Sequence, residues 1–306
     1  MKSAMSIQNA IPYMLLFFSG CLLLFAACDD SDLETDDVMP PGFEMVLIPA
    51  GEFIMGSRNR PDEGLAGTPV DDMADEYEKP QHVVYLDDYL IAKYEVTNTQ
   101  YAQFLNAVQR VTNDEGHLLV DLDLAHLEMA NEGEYRPKPN YADHPVRGVS
   151  WYGAFDYVEW SSEVMGEPYR LPTEAEWEKA ARGVDARLFP WGNDFHAEID
   201  GTTQHANTAE AGIDDTTSVG SFPTGVSIYS IMDMSGNVDE WCQDWFSCDY
   251  SLEPKENPKG PDTGVDRILR GGSWRNVDMA ARCATRSHTL PHRMFPNVGF
   301  RVAKTP

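Results

Sequence analysis

The chain has 306 residues, enough for one large domain or two small ones, and at 42% hydrophobic it can bury a sizeable core. A formal net charge of −27 repels phosphate backbones and anionic lipid surfaces, which excludes nucleic acid as a natural partner class. The acidic excess has a bland explanation in solubility and a sharper one in divalent-cation binding.

Residues 1–27 form a targeting segment. Lys2 supplies a basic start, and Ile11 to Ala27 is almost wholly apolar but ends in small residues and a cysteine. A membrane-crossing helix needs about 20 apolar residues, so a permanent span is not expected. Phe25-Ala26-Ala27-Cys28 resembles a bacterial lipobox, which makes Cys28 the expected lipidation site, with Cys21 the second candidate. The implied location is the bacterial outer membrane, on its periplasmic or surface-exposed side, with the membrane reached through the lipid. Residues 28–42 carry a run of like charge, Asp29-Asp30-Ser31-Asp32-Leu33-Glu34-Thr35-Asp36-Asp37, and are expected to be a disordered tether. Residues 43–306 are the domain.

Along the domain, Phe43 to Ile48 predicts a strand, Pro49 to Gly56 a strand–turn–strand, and His82–Leu86 and Tyr89–Ala92 two more strands. Thr97 with Gln100 three residues on is a capping box. Tyr101, Phe104, Leu105 and Val108 then share one helical face. A second helix is predicted from Ser150 to Gly166, and a third from the Thr173/Glu176 cap to Gly183. Residues 109–143 form a long insertion with a candidate hairpin, a usual place for binding function. Beyond Leu188 the periodicity fades into turns, short strands and aromatic clusters. The 20 Pro and 23 Gly agree with an α+β fold of low regular content. Three cysteines remain in the domain, Cys242, Cys248 and Cys283, and an oxidising compartment permits a disulfide. Cys242–Cys283 is the candidate pair.

Several motifs in order carry a family resemblance: Ile48-Pro-Ala-Gly-Glu-Phe-Ile-Met-Gly-Ser57, Arg170 to Gly183, Gly236-Asn-Val-Asp-Glu-Trp241, Arg270-Gly-Gly-Ser-Trp274, Arg282-Cys-Ala-Thr-Arg286 and Asn297-Val-Gly-Phe-Arg301. Over about residues 43–303 the chain resembles the sulfatase-modifying-factor family, to which the formylglycine-generating enzyme belongs. The resemblance implies a single C-type-lectin-like domain. It also implies calcium, held by the side chains of Asp233 and Glu240 and the carbonyls of Gly236 and Val238. A second calcium set would be Asn207 by side chain, Thr208 by carbonyl, and Asp214 or Asp215. Calcium takes six to eight oxygens of these kinds.

The reactive centre departs from the family. There, two cysteines after the Gly-Gly-Ser turn bind copper(I), a soft ion that selects thiolates. Here the first position is Asn276, and no cysteine lies between Ser273 and Cys283. Copper therefore has no thiolate ligands by that route, and Ser273, Trp274, Arg275 and Asn276 remain as pocket candidates without an assigned catalytic residue. Some family branches use histidine-held iron for sulfur oxidation. His288 and His292 are four apart but separated by Pro291, which argues against a helix that would align them. Arg270, Arg286 and Arg301 are equally suited to pairing with carboxylates or to gripping an acidic ligand. Two readings follow. One is a lipid-anchored, calcium-stabilised binding or accessory module, a pseudoenzyme candidate whose partner is a protein or peptide at the cell envelope. The alternative is an oxygen-dependent oxidoreductase of the family with a rebuilt site, by iron or another route.

Overall fold

The computed structural model describes residues 42–306 except 63, 131–132 and 251–254. The targeting segment, Cys28 and nearly all of the tether lie outside the described residues. Among the described residues, no helix is long and apolar enough to cross a membrane.

The expected helices form where their caps place them, because capping is a local interaction. Helix α1 (Asn98–Val108) starts at Thr97, whose side chain accepts from the Gln100 backbone while the Gln100 side chain reaches back. Helix α2 (Trp151–Met165) is capped by Ser150 and stopped by Gly166 at φ 69°, and helix α3 (Glu174–Arg182) has a second reciprocal cap from Thr173 and Glu176. The early strands are β1 (Met45–Ile48), β2 (Gly51–Met55), β3 (His82–Leu86) and β4 (Tyr89–Ala92). β1 pairs with β4 and β2 with β3, so the two consecutive strands enter different sheets. The insertion does contain a hairpin, β5 (Leu127–Met129) against β6 (Tyr135–Pro137).

The remaining strands are β7 (Tyr169–Arg170), β8 (Asp239–Trp245), β9 (Arg267–Arg270), β10 (Ser287–Thr289), β11 (Val298–Gly299) and β12 (Ala303–Lys304). One four-stranded sheet runs β1-β4-β12-β7, so β12 lies between β4 and β7. The other runs β10-β9-β8-β11, with β11 parallel to β8. β8 is the strand that periodicity does not show. Its residues 239–242 are all buried, so no polar face alternates with an apolar one.

One apolar core lies under α1 and α2, where Tyr101 stacks on Tyr157 with centroids 5.6 Å apart. The second gathers β2, β3, α3, β8 and β9 around Trp177. Helix α3 is charged yet buried along its whole length. Its carboxylates are all claimed: Glu174 by Arg286 at 2.7 Å, Glu176 by Arg170 at 2.6 Å, and Glu178 by Arg182 at 2.7 Å and by Arg270. Arg270 and Arg286, expected either to pair or to grip a ligand, are therefore paired.

Candidate functional site

β9 delivers Arg270 into the Gly271-Gly272 turn. Gly272 has φ 67°, and a Cβ there would lie 2.7 Å from the Ala280 carbonyl oxygen, so the turn accepts only glycine. Ser273, wholly buried, donates from Oγ to Asn276 Oδ1 and accepts from Asn297 Nδ2 at 2.9 Å. The Asn297 amide also donates to Asp239 Oδ2 at 3.1 Å. Burial pushes the Asp239 carboxyl up to about 7, against hydrogen bonds from the Asn297 amide and the Gly272 backbone that favour its ionised form. The four pocket candidates thus hold different places. Ser273 and Asn276 join a hydrogen-bonded cluster with Asp239 and Asn297. Trp274 Nε1 donates to the Pro296 carbonyl at 3.4 Å, and Arg275 is exposed with its guanidinium 5.4 Å from the Trp274 ring.

The 233–240 segment packs directly behind this turn, with Trp274 N donating to the Asn237 carbonyl at 3.0 Å. Asp233 and Asn237 adopt left-handed backbone, φ 58° and 62°. A Cβ on Gly236 would lie 2.4 Å from the Asn207 carbonyl oxygen, because 207 and 236 are bridged strand-fashion. The structure thereby brings together the two stretches expected to hold calcium.

It also shows which partners each expected ligand already has. Glu240 is not an open carboxylate: its oxygens accept from Arg301 Nε at 2.6 Å, Arg301 Nη2 at 2.7 Å and Trp177 Nε1 at 2.9 Å. The side chain is fully buried and serves the guanidinium. Asp233 Oδ2 accepts from Gly220 N at 2.6 Å, and the carboxylate facing Asp233 is Glu95. Glu95 sits two residues before the α1 cap. Burial and the nearby charges of Asp233 and Glu240 hold its carboxyl well above the usual range. Gly236 and Val238 remain placed to offer only backbone.

Asn207 is 1% exposed, and its Nδ2 donates to the Asp215 carbonyl at 2.9 Å, which leaves Oδ1 without any donor. Thr208 beside it is also buried. The Asp215 carboxylate is taken by Arg147 at 2.6 Å, His126 at 3.0 Å and Tyr141 at 3.0 Å, which docks the insertion against this loop. Asp214, the other aspartate of the expected set, is exposed and at φ 61°.

The disulfide expectation changes, and the doubt about a histidine-aligning helix holds. Cys242 and Cys283 are free thiols, not a disulfide; each fills space in the second core as a small apolar side chain. Burial pushes the Cys283 thiol up to about 12, far from a reactive or metal-binding thiolate. His288 lies on β10, bonded to Asp266 at 2.6 Å and stacked on Phe246, so no helix pairs it with His292. Among the described residues, no three His, Cys, Asp or Glu side chains form a ready metal cage.

Comparison with known proteins decides the family. The model of the sulfatase-modifying factor enzyme 1-like domain matches residues 30–306. The chain belongs to the sulfatase-modifying-factor family. The formylglycine-generating enzyme of Streptomyces coelicolor is 37% identical over 295 residues, covering 84% of this chain and 88% of that protein. The serine/threonine-protein kinase Pkn1 of Chlamydia pneumoniae is 37% identical over 279 residues, covering 90% of this chain, but the match spans only 40% of that protein. Among solved structures, PvdO from Pseudomonas aeruginosa superposes with a TM-score of 0.67 at 26% identity, covering 86% of this chain and 94% of PvdO. The family's α+β, C-type-lectin-like fold with low regular content is the fold described above.

Sequence reasoning assigned no role to Glu95, Asn297 or, within the pocket, Asp239. The signals were weak: one carboxylate in the short stretch before a helix cap, an asparagine opening the final family motif, and an aspartate between two expected ligands.

Proposed function

We propose that this chain is a lipid-anchored binding or accessory module of the cell envelope, built on the formylglycine-generating-enzyme fold and stabilised by calcium, without the thiolate copper chemistry of that enzyme. The observation that carries the reading is the Ser273 cluster. Where the family's thiolates belong, Asn276 accepts from Ser273, and Ser273, Asn297 and Asp239 complete a closed set of hydrogen bonds. The two buried thiols of the domain, Cys242 and Cys283, are both core residues. Soft-metal ligation needs accessible thiolates, and the pocket has none to offer.

The fit to calcium is uneven. Asn207 Oδ1 is a buried oxygen lacking a donor, which suits a hard cation, and Thr208 and Asp214 complete the expected set. Glu240 does not fit, since Arg301 and Trp177 occupy it. When bound, calcium supplies fold stability by linkage. Recognition of a protein or peptide partner is assigned to the surface around Trp274, Arg275 and the 109–143 insertion, with the lipid on Cys28 holding the module at the membrane.

The test is incubation with a cysteine-containing sulfatase peptide under air, with and without added copper(I). The expected mass spectrum shows unmodified cysteine. A peptide carrying formylglycine would overturn the reading.

A further inference from the structure

A cleft of about 260 Å³ lies beside Gln243, four residues along β8 from Asp239. The β3–β4 turn, the start of α3, residues 257–259 and Thr305 complete its lining. Its walls are held by the fold. Residues 255–257 run beside β3, where Tyr85 N donates to the Lys255 carbonyl and Asn257 N donates to the Tyr85 carbonyl, both at 2.8 Å. The Asn257 side chain accepts from Asp87 N at 2.8 Å and donates to Asp87 Oδ2 at 2.9 Å. Arg170 is clamped to Glu176 by two bonds of 2.6 and 2.7 Å. Clefts for drug-sized ligands run to roughly 300–1,000 Å³, so this one suits a smaller molecule.

Those bonds commit one cation and two carboxylates of the lining. Four polar side chains stay uncommitted: the Asp88 carboxylate, the Lys259 ammonium, the Gln243 amide and the Thr305 hydroxyl make no hydrogen bond or ion pair among the described residues. A free carboxylate and a free ammonium thus share one small cleft, and no ion pair joins them. The lining is also close to neutral, three carboxylates against two cations, in a chain of net charge −27. The cleft between α1 and α2 differs, with Asp114, Glu115, Asp156, Glu159 and Glu163 against Arg110 alone. A simple cation is drawn more strongly there, and a simple anion is repelled by the field of the whole chain. A molecule carrying both charges matches the near-neutral cleft.

We propose that this cleft binds a small zwitterion of the α-amino-acid class, its ammonium on Asp88 and its carboxylate on Lys259. Gln243 and Thr305 supply neutral donors and acceptors for the remaining ligand atoms. Charge-assisted hydrogen bonds at both ends select against molecules that carry only one of the two charges. The site goes beyond the module reading and depends neither on calcium nor on the Ser273 cluster.

Calorimetry of the full chain in detergent, at neutral pH and low salt, measures binding of L-alanine, N-acetyl-L-alanine and L-alaninamide. The acetyl compound lacks the ammonium, and the amide lacks the carboxylate. L-alanine is expected to bind about tenfold or more tightly than either. Asp88→Asn and Lys259→Gln replace exposed side chains, so both variants are expected to melt as the unsubstituted protein does. Asp88→Asn should weaken L-alanine about tenfold and leave N-acetyl-L-alanine unchanged, while Lys259→Gln should weaken L-alanine similarly and leave L-alaninamide unchanged. That crossed pattern supports the assignment of each charge. No binding of L-alanine, or equal binding of the three compounds, would overturn the proposal, as would L-alanine binding that survives both substitutions. Should either variant melt lower, the three compounds on the unsubstituted protein decide alone.

Discussion

Two buried charged layers in this domain are built on opposite terms. Around α3, Glu174, Glu176 and Glu178 meet Arg286, Arg170, Arg182 and Arg270, and every carboxylate has its guanidinium. Around residues 207–240, Glu95, Asp233 and Glu240 have Arg301 between them, and oxygens of Glu95 and Asn207 lack any donor. Buried ions are tolerated when paired and hydrogen-bonded and are costly otherwise. The balanced layer is architecture. The unbalanced layer is the one we propose takes a ligand.

The comparison breaks most visibly by removing one charge from each layer. Glu178→Ala leaves Arg182 and Arg270 facing each other without their shared carboxylate, and the expected loss in urea unfolding is about 3–5 kcal/mol. Glu95→Gln in chelator is expected to be neutral or stabilising, since it relieves repulsion. Equal losses from the two substitutions would erase the distinction between the layers.

A smaller effect concerns Asp239, at the edge of the unbalanced layer. Its carboxyl is raised to about 7 by burial, against about 3.9 in an unfolded chain. The native state therefore holds the proton more tightly than the unfolded state does. The stability this contributes is fully present below about pH 4 and is lost as pH rises through 7, on the order of 4 kcal/mol in total. Asp239→Asn should flatten that part of the stability-versus-pH curve, measured by denaturant titration at pH 4 to 8. An unchanged slope would mean that Asp239 is ionised in the native protein throughout.

The smallest effect is chemical. Cys248 is exposed while Cys242 and Cys283 are buried free thiols. Native protein should label rapidly at Cys248, and denatured protein without reductant should label at Cys242 and Cys283 as well. Failure of those two to label after unfolding would restore the disulfide.

What was legible in the sequence was local. Thr97, Ser150 and Thr173 announce their helices because a cap and its partner lie within one turn. The hairpin in the insertion and the strands at 82–86 and 89–92 were visible for the same reason. β8 was not, since burial of 239–242 removes alternation. Glu240 was an expected calcium ligand by family resemblance, and its grip by Arg301, 61 residues on, left no local trace. Glu95 carried only the weak signal of a carboxylate before a helix cap, because Asp233 and Asn237 reach it only through the fold. The missing cysteines, by contrast, were plain from the residues between Ser273 and Cys283, where the structure has Ser273 donating to Asn276.

The central claim is that this member of the family keeps the fold as a calcium-stabilised module and has left thiolate copper chemistry behind. Metal content tests it most directly: the full chain is purified in detergent, offered calcium, copper(I) and iron(II) in turn, freed of excess, and counted by elemental mass spectrometry. The account predicts stoichiometric calcium and only trace copper and iron. Stoichiometric copper or iron retained through purification would contradict it.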